Sequence, residues 1–146
     1  MEINNKIRLE FLSLSQNEAF ARSVVSCFAL QLNPSVSQIA DIKTAVSEAV
    51  TNAIVHGYPN GVGEIILEVE LSNSSIHINI FDDGVGIENL SEAIEPFYTT
   101  KADDERSGMG FTIMKSFMDD VKIVSEKGKG TKVYMLKNII TNQVGV

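Results

Sequence analysis

Apolar and polar residues alternate in Ile7-Arg8-Leu9-Glu10-Phe11, the period of a half-buried strand. The spacing then changes. Ser15-Gln16-Asn17-Glu18 has the form of a capping box and predicts a helix running to about Leu32. Asn33-Pro34 predicts a break and a fresh start, with Asn33 as N-cap and Pro34 in the first helical position. The second helix carries Val36, Ile39, Ile42, Val46, Ala49, Val50 and Ala53 on one face, at intervals of three and four. His56-Gly57 and the turn residues Tyr58-Pro59-Asn60-Gly61 end it. Two alternating runs follow, Glu64 to Leu71 and Ser75 to Phe81, and Asn73-Ser74 between them predicts an antiparallel hairpin. Glycine, charge and threonine dominate from Asp82 to Gly110. Phe111 to Met118 reads as a helix, and Val121 to Ser125 with Thr131 to Leu136 as a second hairpin around Lys127-Gly128-Lys129-Gly130.

Strands arriving as hairpins, with helices not singly interleaved, predict an α+β fold with a mostly antiparallel sheet covered on one face. A loop from about 88 to 108 is long for so small a chain and is expected to be a functional lid. No repeat or linker divides the 146 residues, so one domain is expected over 1–146, its tail from about 139 frayed.

Composition narrows the function classes. Apolar residues make up 44% and charged residues 21%, which excludes a disordered chain. No apolar run approaches the roughly 20 residues that cross a bilayer, and no membrane role is expected. The polar start Met1-Glu2-Ile3-Asn4-Asn5-Lys6 lacks a signal-peptide core, so the expected location is the cytoplasm. A net charge of −7 opposes direct binding to nucleic acid. Cys27, the single cysteine, lies in an apolar stretch and is expected to be a buried small hydrophobe.

Three segments carry candidate chemistry. Glu48 and Asn52, four apart on the second helix, share a face. A carboxamide oxygen beside a carboxylate suits a magnesium ligand next to a general base, although the pair taken alone reads more readily as a solvated helix face. Asp82-Asp83-Gly84-Val85-Gly86-Ile87 follows a strand; its aspartate can accept from an exocyclic amine and its glycines admit a flat ligand, or it is an ordinary turn. Ser107-Gly108-Met109-Gly110 opens a helix whose N-terminal N–H groups can cradle phosphate. Thr99, Thr100 and Lys101 offer further donors, and Thr131 follows Gly128-Lys129-Gly130.

In type, order and spacing these segments resemble the nucleotide boxes of the GHKL superfamily of ATPases and kinases. Glu48-x-x-x-Asn52 is similar to its N box, Asp82-x-Gly84-x-Gly86 to its G1 box and Gly108-x-Gly110 to its G2 box. The resemblance implies a two-layer sandwich of Bergerat type, with a mixed, mostly antiparallel sheet and ATP held between sheet, helices and lid. Asp82, with Thr131 beside it through water, would read adenine; Asn52 would hold Mg²⁺; Glu48 would be the base. The remaining phosphate contacts would come from Thr99, Thr100, Lys101, Ser107, Gly108, Met109 and Gly110.

The run from Ser47 to Tyr58, Pro96-Phe97-Tyr98-Thr99-Thr100-Lys101 and Glu105 to Met114 further resemble the anti-sigma-factor serine kinases, of the sporulation type directed at sigma-F. That family implies a homodimer that sequesters sigma-F and phosphorylates a serine on an anti-anti-sigma partner. A stress-response kinase for another sigma factor, or a nucleotide-gated binding module without kinase activity, are the alternatives. His56 and His77 are read as structural or binding residues. Arg22, a lone charge in the stretch Ala19 to Leu30, is a candidate contact with sigma or simply a solvated side chain.

Overall fold

In the computed structural model, which describes residues 3–87 and 109–139, alternation in the sequence becomes alternation of burial. Strand β1 spans Asn5–Leu12, β2 Glu64–Ser72, β3 Ser75–Asp82, β4 Asp120–Ser125 and β5 Thr131–Asn138. They form one sheet in the order β1-β2-β3-β5-β4. Every described pairing is antiparallel, so the sheet is not mixed among the described residues. The β2–β3 hairpin closes Ser72 onto Ser75, with Asn73 in the left-handed conformation at φ 55° that a two-residue turn requires.

One face of the sheet is apolar. Ile65, Leu67, Val69 and Leu71 of β2, Ile76, Ile78 and Ile80 of β3, and Val133 and Met135 of β5 are all buried. Each such side chain contributes about 1.5–3 kcal/mol by leaving water. Helices α1 (Gln16–Ala29), α2 (Val36–Asn52) and α3 (Gly110–Phe117) form the covering layer, with α2 packed against both others. Helix α2 presents Ile42, Ala45, Val46, Ala49 and Val50 to this core. The α+β two-layer architecture agrees with the expectation. No described helix is long and apolar enough to cross a membrane.

The helix ends differ from the sequence reading. Ser15 precedes α1 with helical φ and ψ and makes no side-chain cap, so the expected box does not form. Glu18 instead accepts a hydrogen bond from Ser47 of α2 and pairs with Arg22 at 3.5 Å. Leu30–Leu32 is a 3₁₀ turn, and Asn33 closes it in the left-handed region at φ 53° rather than capping α2. The cap of α2 is Ser35, whose hydroxyl accepts from Gln38 N at 3.1 Å while Gln38 Oε1 accepts from Ser35 N at 3.1 Å. Val36 therefore sits in the first turn, 89% exposed and outside the core face.

Cys27 is exposed, not buried. Helix α1 buries Ala21, Val25, Ser26 and Ala29, and Cys27 points away from that stripe. The predicted lid and the tail beyond residue 139 lie outside the described residues.

Candidate nucleotide site

Helix α2 brings Glu48 and Asn52 to its C-terminal end, where Glu48 is buried at 7% exposure. Asn52 Nδ2 is buried and has no hydrogen-bond partner among the described residues. A buried amide in that state costs roughly 1–3 kcal/mol, which makes it a candidate ligand contact. Gly110, the first residue of α3, lies against it: a Cβ there would come within 2.8 Å of Asn52 Nδ2. Glycine at 110 is what lets the third segment close on the first.

Beyond Asn52 the α-helix widens into a π-turn, Ala53–Gly57, a device that often marks functional helix ends. It delivers Gly57 beneath the end of β3. A Cβ on Gly57 would lie 2.9 Å from Asp82 Cγ, and the Gly57 carbonyl accepts from Val85 N at 2.9 Å. The first and second segments are thus joined backbone to backbone.

Asp82 is buried at 7% exposure at the end of β3. Burial pushes its carboxyl up from the usual 3.8 to about 6, despite the N–H groups of Gly84 and Thr131 that stabilise the anion. The Gly84 bond is 2.9 Å long. Gly86 has φ +73°, and its missing Cβ would otherwise stand 2.0 Å from the Glu126 carbonyl. Only glycine satisfies both demands.

Thr131 stands opposite Asp82 in the β3–β5 register, with its hydroxyl 2.7 Å from Ser125 Oγ. Ser125 also accepts from Ile87 N at 2.8 Å and donates to the Gly130 carbonyl at 3.0 Å. Ser125, Gly57 and Tyr58 organise the site without having been singled out as site residues. Gly57-Tyr58 reads along the chain as a helix stop inside the Ser47–Tyr58 run, with no role of its own, and Ser125 as an ordinary strand residue.

Tyr58 donates its hydroxyl proton to the Glu64 carbonyl at 2.7 Å and accepts from Asp83 N at 2.8 Å. Burial, aided by the charges of Asp82, Asp83 and Glu64, raises the phenol's pKa and keeps it a donor.

The structure therefore brings together Glu48, Asn52, Asp82, Gly84, Gly86, Gly110 and Thr131, with Met109 preceding the first turn of α3. Thr99, Thr100, Lys101, Ser107 and Gly108 lie outside the described residues. Arg22 belongs to a different cluster, on α1 with Glu18. No group of three or more His, Cys, Asp or Glu among the described residues could hold a metal unaided. Asn52 would accordingly offer Mg²⁺ a single ligand, its carboxamide Oδ1, with phosphate oxygens and water supplying the others.

Comparison with known proteins identifies the family. Residues 12–137 match the histidine kinase-like ATPase domain family. An anti-sigma F factor of Thermoanaerobacter sp. is 53% identical over 139 residues, covering 95% of this chain and 97% of that one. An anti-sigma F factor of Clostridium perfringens is 54% identical over 140 residues, covering 95% of this chain and all of the relative. The fold is similar to that in a crystal structure of the RsbU and RsbW domains of a Mycobacterium tuberculosis protein, at a TM-score of 0.67 and 17% identity. That match covers 97% of this chain and 35% of the other. The chain belongs to the histidine kinase-like ATPase family and, within it, to the family of the anti-sigma F factors.

Proposed function

We propose that the chain is a cytoplasmic, homodimeric anti-sigma factor of sporulation. In this reading it sequesters sigma-F and uses ATP to phosphorylate a serine on an anti-anti-sigma partner. What supports this reading is one arrangement: buried Glu48 a turn before the unpartnered Asn52 amide, which lies against Gly110, with buried Asp82 tied to the same helix end through Gly57. It occurs in a chain more than half identical, almost end to end, to proteins named anti-sigma F factors.

Each residue's part follows from its chemistry. Asp82, an anion held by two backbone N–H groups, accepts a hydrogen bond from the adenine amino group, and Thr131 stands beside it. Asn52 would hold Mg²⁺ through its Oδ1, and the ion when bound offsets phosphate charge. Met109 and Gly110 at the start of α3 present backbone N–H groups to the phosphates, as Ser107, Gly108, Thr99, Thr100 and Lys101 would from the preceding segment. Glu48 accepts the proton of the attacking serine hydroxyl. The remaining catalysis is positioning and fixed electrostatics. Arg22 is the proposed contact with sigma.

Glu48→Gln provides the test. Glutamine keeps the size and polarity of the side chain but cannot take the serine proton at neutral pH. Phosphoserine formation on the purified anti-anti-sigma protein should fall about 10²–10⁴-fold. Binding of ATP and inhibition of sigma-F should persist. Phosphorylation at the wild-type rate would remove Glu48 from the base's role, and loss of ATP binding would make that role structural.

A further inference from the structure

We propose that Tyr58 is a positioning residue for base selection, fixing the Asp82 carboxylate at the height at which it distinguishes an amino group on the purine. The inference rests on the adenine reading of Asp82 and names the residue that enforces it.

Besides the strand pairing of Asp82, the Thr131 N–H on its carboxylate and the Gly128 N–H on the Val85 carbonyl at 2.6 Å, three bonds hold the segment from Asp82 to Val85. One is internal, from Gly84 N to Asp82 Oδ1 at 2.9 Å. The other two come from consecutive residues at the end of the π-turn: the Gly57 carbonyl takes Val85 N at 2.9 Å, and the Tyr58 hydroxyl takes Asp83 N at 2.8 Å. The N–H of Asp83 belongs to the peptide unit leaving Asp82. Tyr58 therefore fixes the backbone plane from which the Asp82 side chain projects.

Its own position is determined twice. The hydroxyl donates to the Glu64 carbonyl at 2.7 Å. The ring lies on Gly63, where a Cβ would come within 2.1 Å of the ring's Cε1. Glu64 begins β2, and Ile65 pairs with Asp82 in the β2–β3 register, so the same phenol references Asp82 to the neighbouring strand. A carboxylate accepting from one exocyclic N–H must hold its direction closely, because hydrogen bonds weaken steeply with misalignment. Asp83 is exposed, and without the phenol its N–H would turn to water and the peptide plane with it.

The test compares Mg²⁺-bound ATP with purine riboside triphosphate, which lacks only the amino group, by calorimetry. The wild-type protein should prefer ATP. In Tyr58→Phe, which retains the ring on Gly63, ATP affinity should fall about 3–10-fold while purine riboside triphosphate changes less than about twofold. The preference should narrow by the same factor. Gly63→Ala, which keeps the phenol but displaces ring and hydroxyl together from their seat, should narrow it as well. A ratio of affinities is internal to the folded protein, so it reads positioning even if either variant melts earlier. Equal losses for both nucleotides, or no change for either, would overturn the proposal while leaving Asp82 as the adenine reader. A wild-type protein indifferent to the amino group would overturn the reading of Asp82 and this inference together.

Discussion

Asp82 buries a carboxyl at the end of β3, and in the proposed adenine contact it would trade stability for binding. Its carboxyl, raised to about 6 by burial, holds a proton in the folded chain between about pH 4 and 6 that the unfolded chain has already released. The contribution of this group to the stability of the ligand-free protein therefore rises as pH falls through 6. At neutral pH its ionised form costs about 3 kcal/mol. Asp82→Asn should remove that dependence. The gap in unfolding free energy between wild type and variant, measured in urea, should move towards the wild type by up to about 3 kcal/mol between pH 7.5 and pH 4. A gap independent of pH would show that Asp82 titrates normally. The same variant should bind ADP about 10–100-fold more weakly at pH 7.5, since a charge-assisted hydrogen bond to adenine is lost.

At the scale of elements, the two caps give opposite expectations for chemically similar serines. Ser35→Ala removes an observed box at the start of α2 and should cost about 1 kcal/mol in thermal or urea unfolding. Ser15→Ala should cost almost nothing, because Ser15 makes no side-chain cap. Equal losses would return the capping role to Ser15. Hydrophobic spacing and turn residues made every described strand and helix legible, along with the Glu48–Asn52 face and the aspartate–glycine turn. What escaped depends on partners distant in sequence. Glu18 leaves the Ser15 box for Ser47, 29 residues away, a competition no local pattern expresses. Cys27 sits in an apolar stretch, yet only the stripe of α1 that carries Ala21, Val25, Ser26 and Ala29 is buried. Gly57 and Tyr58 have the composition of a stop signal, and their ties to Val85 and Asp83 appear only when the end of α2 meets the end of β3.

Across the whole molecule, Lys137 links the layers. Buried on β5, it donates to the Phe117 carbonyl at 2.6 Å and lies 3.3 Å from Asp41 of α2, so one ammonium joins the sheet to α2 and the end of α3. Lys137→Met fills similar space but strands both acceptors, and should lower unfolding free energy by about 1–3 kcal/mol. Asp41→Asn, which leaves the bond to Phe117, should lose less. Equal losses would assign the whole effect to the ion pair. The buried carboxylate of Asp82 and the unpartnered amide of Asn52 add a consequence measured in time. In the proposed site both groups would be compensated by a nucleotide, so a full site would widen the gap to every open form that a protease could cut. Digestion of the purified protein should slow as ADP is raised past its dissociation constant, and Asp82→Asn should lose most of that protection. The survival of the molecule in a cell would then follow its nucleotide supply, making occupancy a determinant of abundance as well as of activity.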